Sequence, residues 1–381
     1  MKVAIVHDWF TSKGGGENCV EEILAMFPQA DIYCLVDFMP DDQRAFMDRH
    51  RITTSFIQRL PRARKSYRSY LPLMPIAIEQ FDLADYDLVI STSSAVAKGV
   101  ITGPSQRHLC YIFSPIRYAW DLQHTYLRES NLDKGVKGVV ARAILHYIRM
   151  WDVRTAAGVD EYLAISEFVA ARVWKAYRRA STIVYPPVAL GRYPLAEAPR
   201  ENYYVTASRM VPYKRIPMIV EAFARMPDRK LVVIGDGPDM AQVRRFATSN
   251  VEVLGRQPES VLRHHLSRAR AFIFAAEEDF GIAPIEAQAC GTPVIALAKG
   301  AARETIRGHE DVGRTGFFFH EQTPEALAAA VEEVESKLAM IQPADCRANA
   351  ARFSEEGFRA GIRDAVAKLM DVPPFSHTLE G

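Results

Sequence analysis

The sequence predicts an α/β protein built from two Rossmann-like halves. Short apolar runs alternate with longer segments of helical periodicity, the pattern of a parallel sheet layered with helices. With 381 residues the chain has room for about two domains. Tyr185-Pro186-Pro187-Val188 interrupts the pattern near the middle, where adjacent prolines continue neither a helix nor a central strand.

In chain order, strands are expected at residues 3–6, 32–35, 88–91, 108–112 and 161–165 in the first half. The second half repeats the pattern at 203–208, 230–234, 251–254, 271–274 and 294–296. Residues 355–370 carry helical spacing through Phe358, Ile362, Val366 and Leu369. The expected organisation is therefore an N-terminal domain over 1–188 and a second domain over 189–354. A helix over 355–371 returns toward the first domain, and a loose tail covers 372–381. Two such sheets facing each other across a cleft would bind a ligand at their C-terminal strand ends. Residues 136–150 also look amphipathic, a pattern that a buried core helix explains as well.

Composition narrows the class. The 47 Lys plus Arg against 46 Asp plus Glu leave +1, which excludes a globally basic nucleic-acid binder and an acidic solvating protein. Hydrophobic residues at 49% and charged residues at 24% suit ordinary globular cores. The five cysteines form no CxxC pair, which argues against a disulfide framework or structural zinc and for a reducing compartment. The N-terminal apolar run stops at His7 and Asp8, too short for a signal peptide. No stretch approaches the roughly 18 apolar residues of a membrane span. A cytoplasmic chain is expected, with peripheral membrane attachment open.

Three motifs carry chemistry. The densest is Glu278-Asp279-Phe280-Gly281-Ile282-Ala283-Pro284-Ile285-Glu286. Gly281 permits a tight turn after the preceding strand, and Pro284 suits the first position of a helix. Free amides at that helix start favour a phosphate. Glu278 before the helix and Glu286 in its first turn can accept hydrogen bonds from sugar and ribose hydroxyls. Complementing the helix dipole explains Glu286 alone equally well. The second motif, Ser208-Arg209-Met210-Val211-Pro212-Tyr213-Lys214-Arg215, puts a planar guanidinium and a point-charge ammonium on one loop. That pairing suits a diphosphate; a solvated basic loop is the alternative. The third is Thr11-Ser12-Lys13-Gly14-Gly15-Gly16-Glu17, whose glycines let backbone amides approach a ligand. Cys19 occupies the third glycine position of a nicotinamide-binding fingerprint, so that reading fails. Gly235-Asp236-Gly237-Pro238 reads as a strand-to-helix turn.

Together and in this order, these motifs resemble family 4 of the retaining glycosyltransferases, whose fold is GT-B. Ala164-Ile165-Ser166-Glu167-Phe168-Val169, Val184-Tyr185-Pro186-Pro187-Val188 and Asn349-Ala350-Ala351-Arg352-Phe353-Ser354 are similar to its members. Ser114-Pro115-Ile116-Arg117-Tyr118-Ala119-Trp120-Asp121 is similar to mannosyltransferases of bacterial O-antigen and exopolysaccharide synthesis. The resemblance implies that Arg209 and Lys214 hold the donor diphosphate, Glu278 the transferred sugar and Glu286 the nucleotide ribose. Gly15 and Gly16 would lie near sugar and diphosphate, with Phe280, Gly281 and Ile282 lining the donor site. It implies GDP-mannose as donor, a polyprenyl-diphosphate-linked saccharide as acceptor, no cofactor and no required metal. Such relatives usually carry a histidine before the Ser-Pro pair; here Phe113 stands there. His108 lies on the opposite strand face by period-two alternation, so it is no obvious substitute. This departure keeps two alternatives open: a nucleotide-sugar-binding protein with little activity, or another GT-B enzyme such as an epimerase.

Near-neutrality conceals one asymmetry. Residues 49–78 hold no acid, yet contain Arg59, Arg62, Arg64, Lys65 and Arg68, interleaved with Tyr67 and followed by Leu71, Leu73 and Met74. This reads as a surface element for anionic lipid or for the acceptor diphosphate, at the inner face of the cytoplasmic membrane. A solvated loop is the alternative, and no recognition helix supports nucleic acid.

Overall fold

The computed structural model describes residues 1–196, 199–308 and 313–371; the expected tail over 372–381 lies outside them. The chain divides into two units. One comprises Met1–Tyr185 with the described residues from Phe358 onward, the other Pro186–Gly357. The divisions fall at 185/186 and 357/358, against the expected 188/189 and 354/355.

The first unit holds a wholly parallel sheet of β1 (Val3–His7), β2 (Asp31–Cys34), β3 (Ile52–Thr54), β4 (Leu88–Ser93), β5 (Arg107–Ile112), β6 (Glu161–Ala164) and β7 (Thr182–Ile183). Their order across the sheet is β3-β2-β1-β4-β5-β6-β7. The second unit holds β8 (Tyr204–Ala207), β9 (Leu231–Ile234), β10 (Val251–Gly255), β11 (Ala271–Phe274), β12 (Val294–Leu297) and β13 (Gly316–Phe319), in the order β10-β9-β8-β11-β12-β13, again all parallel. β1, β8, β9, β11 and β12 are buried along their whole length and apolar apart from His7 and Thr206. Helices cover both faces of such sheets, which keeps these strands from water.

The ten expected strands are all present, and three more were not expected. β3 and β7 are edge strands of three and two residues with little apolar signal. β13 opens on Gly316, where a Cβ would lie 2.2 Å from the Val294 carbonyl oxygen, so β13 can approach β12 only through a glycine.

In each sheet the strand order reverses once, between β1 and β4 and between β8 and β11. Loops leaving the sheet on either side of such a reversal diverge and leave room for a ligand. In the first unit, Asp8 holds this point together. Its carboxylate accepts the amides of Ser94, Ala95, Val96 and Ala97 at 2.6–2.9 Å and the Ser94 hydroxyl at 3.0 Å. The helix Glu355–Asp371 completes that unit by burying Phe358, Ile362 and Val366. Phe358 meets the Tyr111 ring edge-on at 5.4 Å. The five cysteines are free and buried.

Candidate functional site

In the second unit, the basic loop leaves β8 and the acidic string leaves β11, the two strands that flank the reversal. Sixty-four residues apart in sequence, Lys214 and Glu278 become neighbours, and the ammonium donates to the carboxylate. Both side chains are mostly shielded from water. Arg209, on the same loop, is exposed. The turn Pro212–Lys214 ends at Arg215, whose φ of +56° redirects the chain into the helix Ile216–Ala224.

Two glycine positions fix this geometry. At Gly235 (φ +132°) a Cβ would sit 1.9 Å from the Ser208 carbonyl oxygen, so the loop after β9 presses directly on the Arg209 loop. The Met210 amide donates to the Asp236 carbonyl at 2.8 Å, and the Asp239 amide to the Met210 carbonyl at 3.1 Å. The glycine-rich turn therefore supports the basic loop from behind. Gly300 (φ +63°) does the same for Glu278: a Cβ would lie 2.4 Å from the Glu278 carbonyl oxygen, which accepts the Ala301 amide at 3.0 Å.

Gly281 (φ +85°) turns the chain into the helix Ile282–Ala289. The helix begins two residues before Pro284, so the proline is third rather than first. Its ring is tolerated because no first-turn amide has an intrahelical acceptor. Glu286 consequently lies in the second turn, where the helix dipole explains it less well. Burial pushes its carboxyl up to about 7, against the lowering effect of a hydrogen bond from the Tyr193 hydroxyl at 2.9 Å.

Tyr193 escaped the sequence reading because 93 residues separate it from Glu286. Arg347 holds its backbone, donating from one nitrogen to the carbonyls of Leu190, Tyr193 and Ala289 at 2.6–3.2 Å. The Asn349 string has a structural role in the same place. Asn349 donates to Gln288 at 2.7 Å and to the Thr305 carbonyl at 2.9 Å, both inside the fold. Phe353 packs edge-on against buried Phe280 at 5.6 Å.

In the first unit, Gly15 and Gly16 open the helix Gly15–Met26 instead of lying in a free loop, with the Gly14 amide donating to the Glu17 carboxylate at 3.0 Å. A Cβ on Gly16 would touch the Phe113 ring at 3.5 Å. Phe113 also faces Tyr111 and His7 edge-on, at 5.5 and 6.4 Å. His7, not singled out from sequence, ends β1 with its Nδ1 2.8 Å from the Thr92 hydroxyl. His108 is fully buried between Ser91 and the Gly158 carbonyl, and burial lowers it to about 4. It is a neutral core residue. Trp120, in the string after Phe113, donates to Asp152 at 2.7 Å, and Asp152 in turn pairs with buried Lys98 at 2.9 Å.

The basic stretch divides. Arg59, Arg62, Arg64, Lys65 and Arg68 are exposed, as expected. Tyr67 is not: it is buried in the core, with the Arg68 guanidinium 4.7 Å above its ring. Its place as a surface contact is corrected accordingly, because its ring fills the apolar core beneath the exposed cations.

Residues 192–353 match the family model described as glycosyl transferases group 1. The matched residues fall within the second unit. A GDP-mannose-dependent alpha-(1-6)-phosphatidylinositol monomannoside mannosyltransferase of Mycolicibacterium smegmatis is 31% identical over 38% of this chain and 40% of its own length. Its namesake from Mycobacterium tuberculosis is 28% identical over 51% of this chain and 56% of its own. The chain thus spans about half or less of the length of these curated relatives. Among solved structures, Anabaena Alr3699/HepE in complex with UDP is 17% identical with a TM-score of 0.67, covering 97% of this chain and all of the other. That likeness shows the fold. With the group 1 domain and the mannosyltransferase relatives, it supports a family 4-like GT-B glycosyltransferase.

Proposed function

We propose that the chain is a retaining glycosyltransferase that moves mannose from GDP-mannose onto a polyprenyl-diphosphate-linked saccharide at the inner face of the cytoplasmic membrane. The observation that carries this reading is the Lys214–Glu278 contact beside one strand-order reversal, with Arg209 on the loop of the first and the Gly281 helix start on the string of the second. Two cations and a helix N-terminus suit a diphosphate leaving group, and they supply its charge neutralisation without a metal ion. In this reading Glu278 exchanges its Lys214 contact for sugar hydroxyls when donor arrives, and the ammonium moves to the diphosphate. Cleavage is dissociative, with attack from the face that the leaving group vacates.

Mannose and guanine are favoured by the GDP-mannose dependence of the mycobacterial relatives. The UDP complex of the structural neighbour points to uridine instead. A thermal-shift series with GDP, UDP and ADP decides between them: GDP raises the melting temperature most, since a ligand that prefers the folded state stabilises it. A larger shift with UDP would replace the donor assignment.

Glu286 gives this reading a pH signature. With its folded value near 7 against 4.5 unperturbed, its stability contribution is complete below about 4.5 and lost as pH rises through 7. Ribose hydroxyls donate to the charged carboxylate, so nucleotide binding runs the other way and favours high pH. Affinity measured by calorimetry falls about tenfold per pH unit below 7, and Glu286→Gln flattens that slope. An unchanged slope in the variant would remove Glu286 from the ribose site.

A further inference from the structure

The helix Gly135–Ala156 in the first unit has an apolar face that the fold leaves open. Its inner side is ordinary core, with Leu145, Ile148, Trp151 and Ala156 buried. On the other side Val136, Val139, Val140, Tyr147 and Met150 are 81, 62, 52, 37 and 56% exposed. Val136, Val140, Ala143, Tyr147 and Met150 follow helical spacing, so they form one stripe along four turns. Scattered exposed valines need no explanation, but a continuous stripe of this length does.

The sequence left this segment between an amphipathic surface and a buried core helix, and the exposures decide for the surface. Its charge says what that surface suits. Lys134, Lys137, Arg142 and Arg154 are exposed beside the stripe. The helix has a single acid, Asp152, which is buried and held by Lys98. Acids near it include Asp133 and exposed Glu129, both just before the helix, and Glu79, which faces Arg154. Leu71, from the acid-free stretch, packs into the core beneath this helix, and Leu73 and Ile76 beyond it are exposed. No helix among the described residues is long and apolar enough to cross a membrane.

We propose that this helix lies in the headgroup region of an anionic lipid bilayer, with the valine stripe at the acyl boundary and its cations on lipid phosphates. A second copy on the same face would bring Lys137 and Arg142 near like charges, which disfavours self-association. The inference deepens the lipid-linked-acceptor reading and rests on it for its purpose, but its readout requires no sugar transfer.

The test is flotation of the full chain with vesicles of phosphatidylcholine alone or mixed with phosphatidylglycerol, beside the nucleotide thermal shift on the same preparation. The chain floats with phosphatidylglycerol vesicles, less so at high salt, and does not float with phosphatidylcholine alone. The double variant Val140→Asp with Tyr147→Asp reduces partitioning about tenfold or more while keeping its nucleotide-induced shift. Both positions are exposed, so that shift also reports an intact fold. Three outcomes overturn the proposal: no flotation of the parent chain, equal flotation of the variant, or a dimer that the variant dissolves without any lipid binding. A missing nucleotide shift in the parent chain would strike the donor reading instead and leave the lipid result standing.

Discussion

Lys214→Ala lowers the rate of sugar transfer by about a hundredfold or more, and Arg209→Ala by a similar or smaller factor. In the proposed reaction both cations act where negative charge grows as the diphosphate departs, so their loss falls on kcat more than on KM. Lys214 carries a second burden. It neutralises Glu278, and both side chains are largely shielded from water. Removing the ammonium leaves that carboxylate beside the incoming diphosphate without its partner, which adds repulsion to lost stabilisation. Single-turnover kinetics with labelled donor separate chemistry from binding, and circular dichroism checks the fold. Near-normal turnover in both variants would sink the assignment.

The second large effect is on stability. Asp8→Ala removes the acceptor for four backbone amides and one hydroxyl at the reversal point of the first sheet. The site is buried, so the amides gain no water in exchange. A loss of about 3–5 kcal/mol is expected, read from denaturant unfolding. Asp8→Asn falls between, because one amide oxygen accepts in place of two carboxylate oxygens and its NH2 group faces donors. A loss below about 1 kcal/mol for Asp8→Ala would show that the β4 exit loop is held by other means.

What the sequence revealed follows from the range of the interactions involved. Central strands were readable because two-sided burial forces unbroken apolar runs, as in Leu231–Ile234 and Val294–Leu297. Edge strands such as Thr182–Ile183 lack that demand and left no signal. The motif loops were legible through glycine, proline and charge. Their supports were not: Tyr193 reaches Glu286, Arg347 reaches Tyr193, and Gly300 admits Glu278 only through tertiary folding. Helical periodicity also cannot tell which face is covered. It left Val136–Met150 open between an amphipathic surface and a core helix, and it placed Tyr67 at the surface; the structure exposes Val136, Val139 and Val140 over buried Leu145 and Ile148, and buries Tyr67. The likeness of Asn349–Ser354 to family members was visible without its reason, which is the support of the Ile282–Ala289 helix through Gln288 and Phe280.

The Arg209–Lys214 loop and the Glu278 string are proposed to serve transfer of a sugar and not merely retention of a nucleotide. Phe113, an uncharged ring where the family resemblance leads one to expect histidine, makes that distinction the sharpest one. The most direct measurement incubates the purified chain with radiolabelled GDP-mannose and a lipid-linked saccharide extract, then follows label into the lipid fraction. Time-dependent incorporation is expected, slowed about a hundredfold or more by Lys214→Ala. Saturable donor binding with no incorporation from GDP-mannose or any other nucleotide sugar would contradict it and leave a nucleotide-sugar-binding protein.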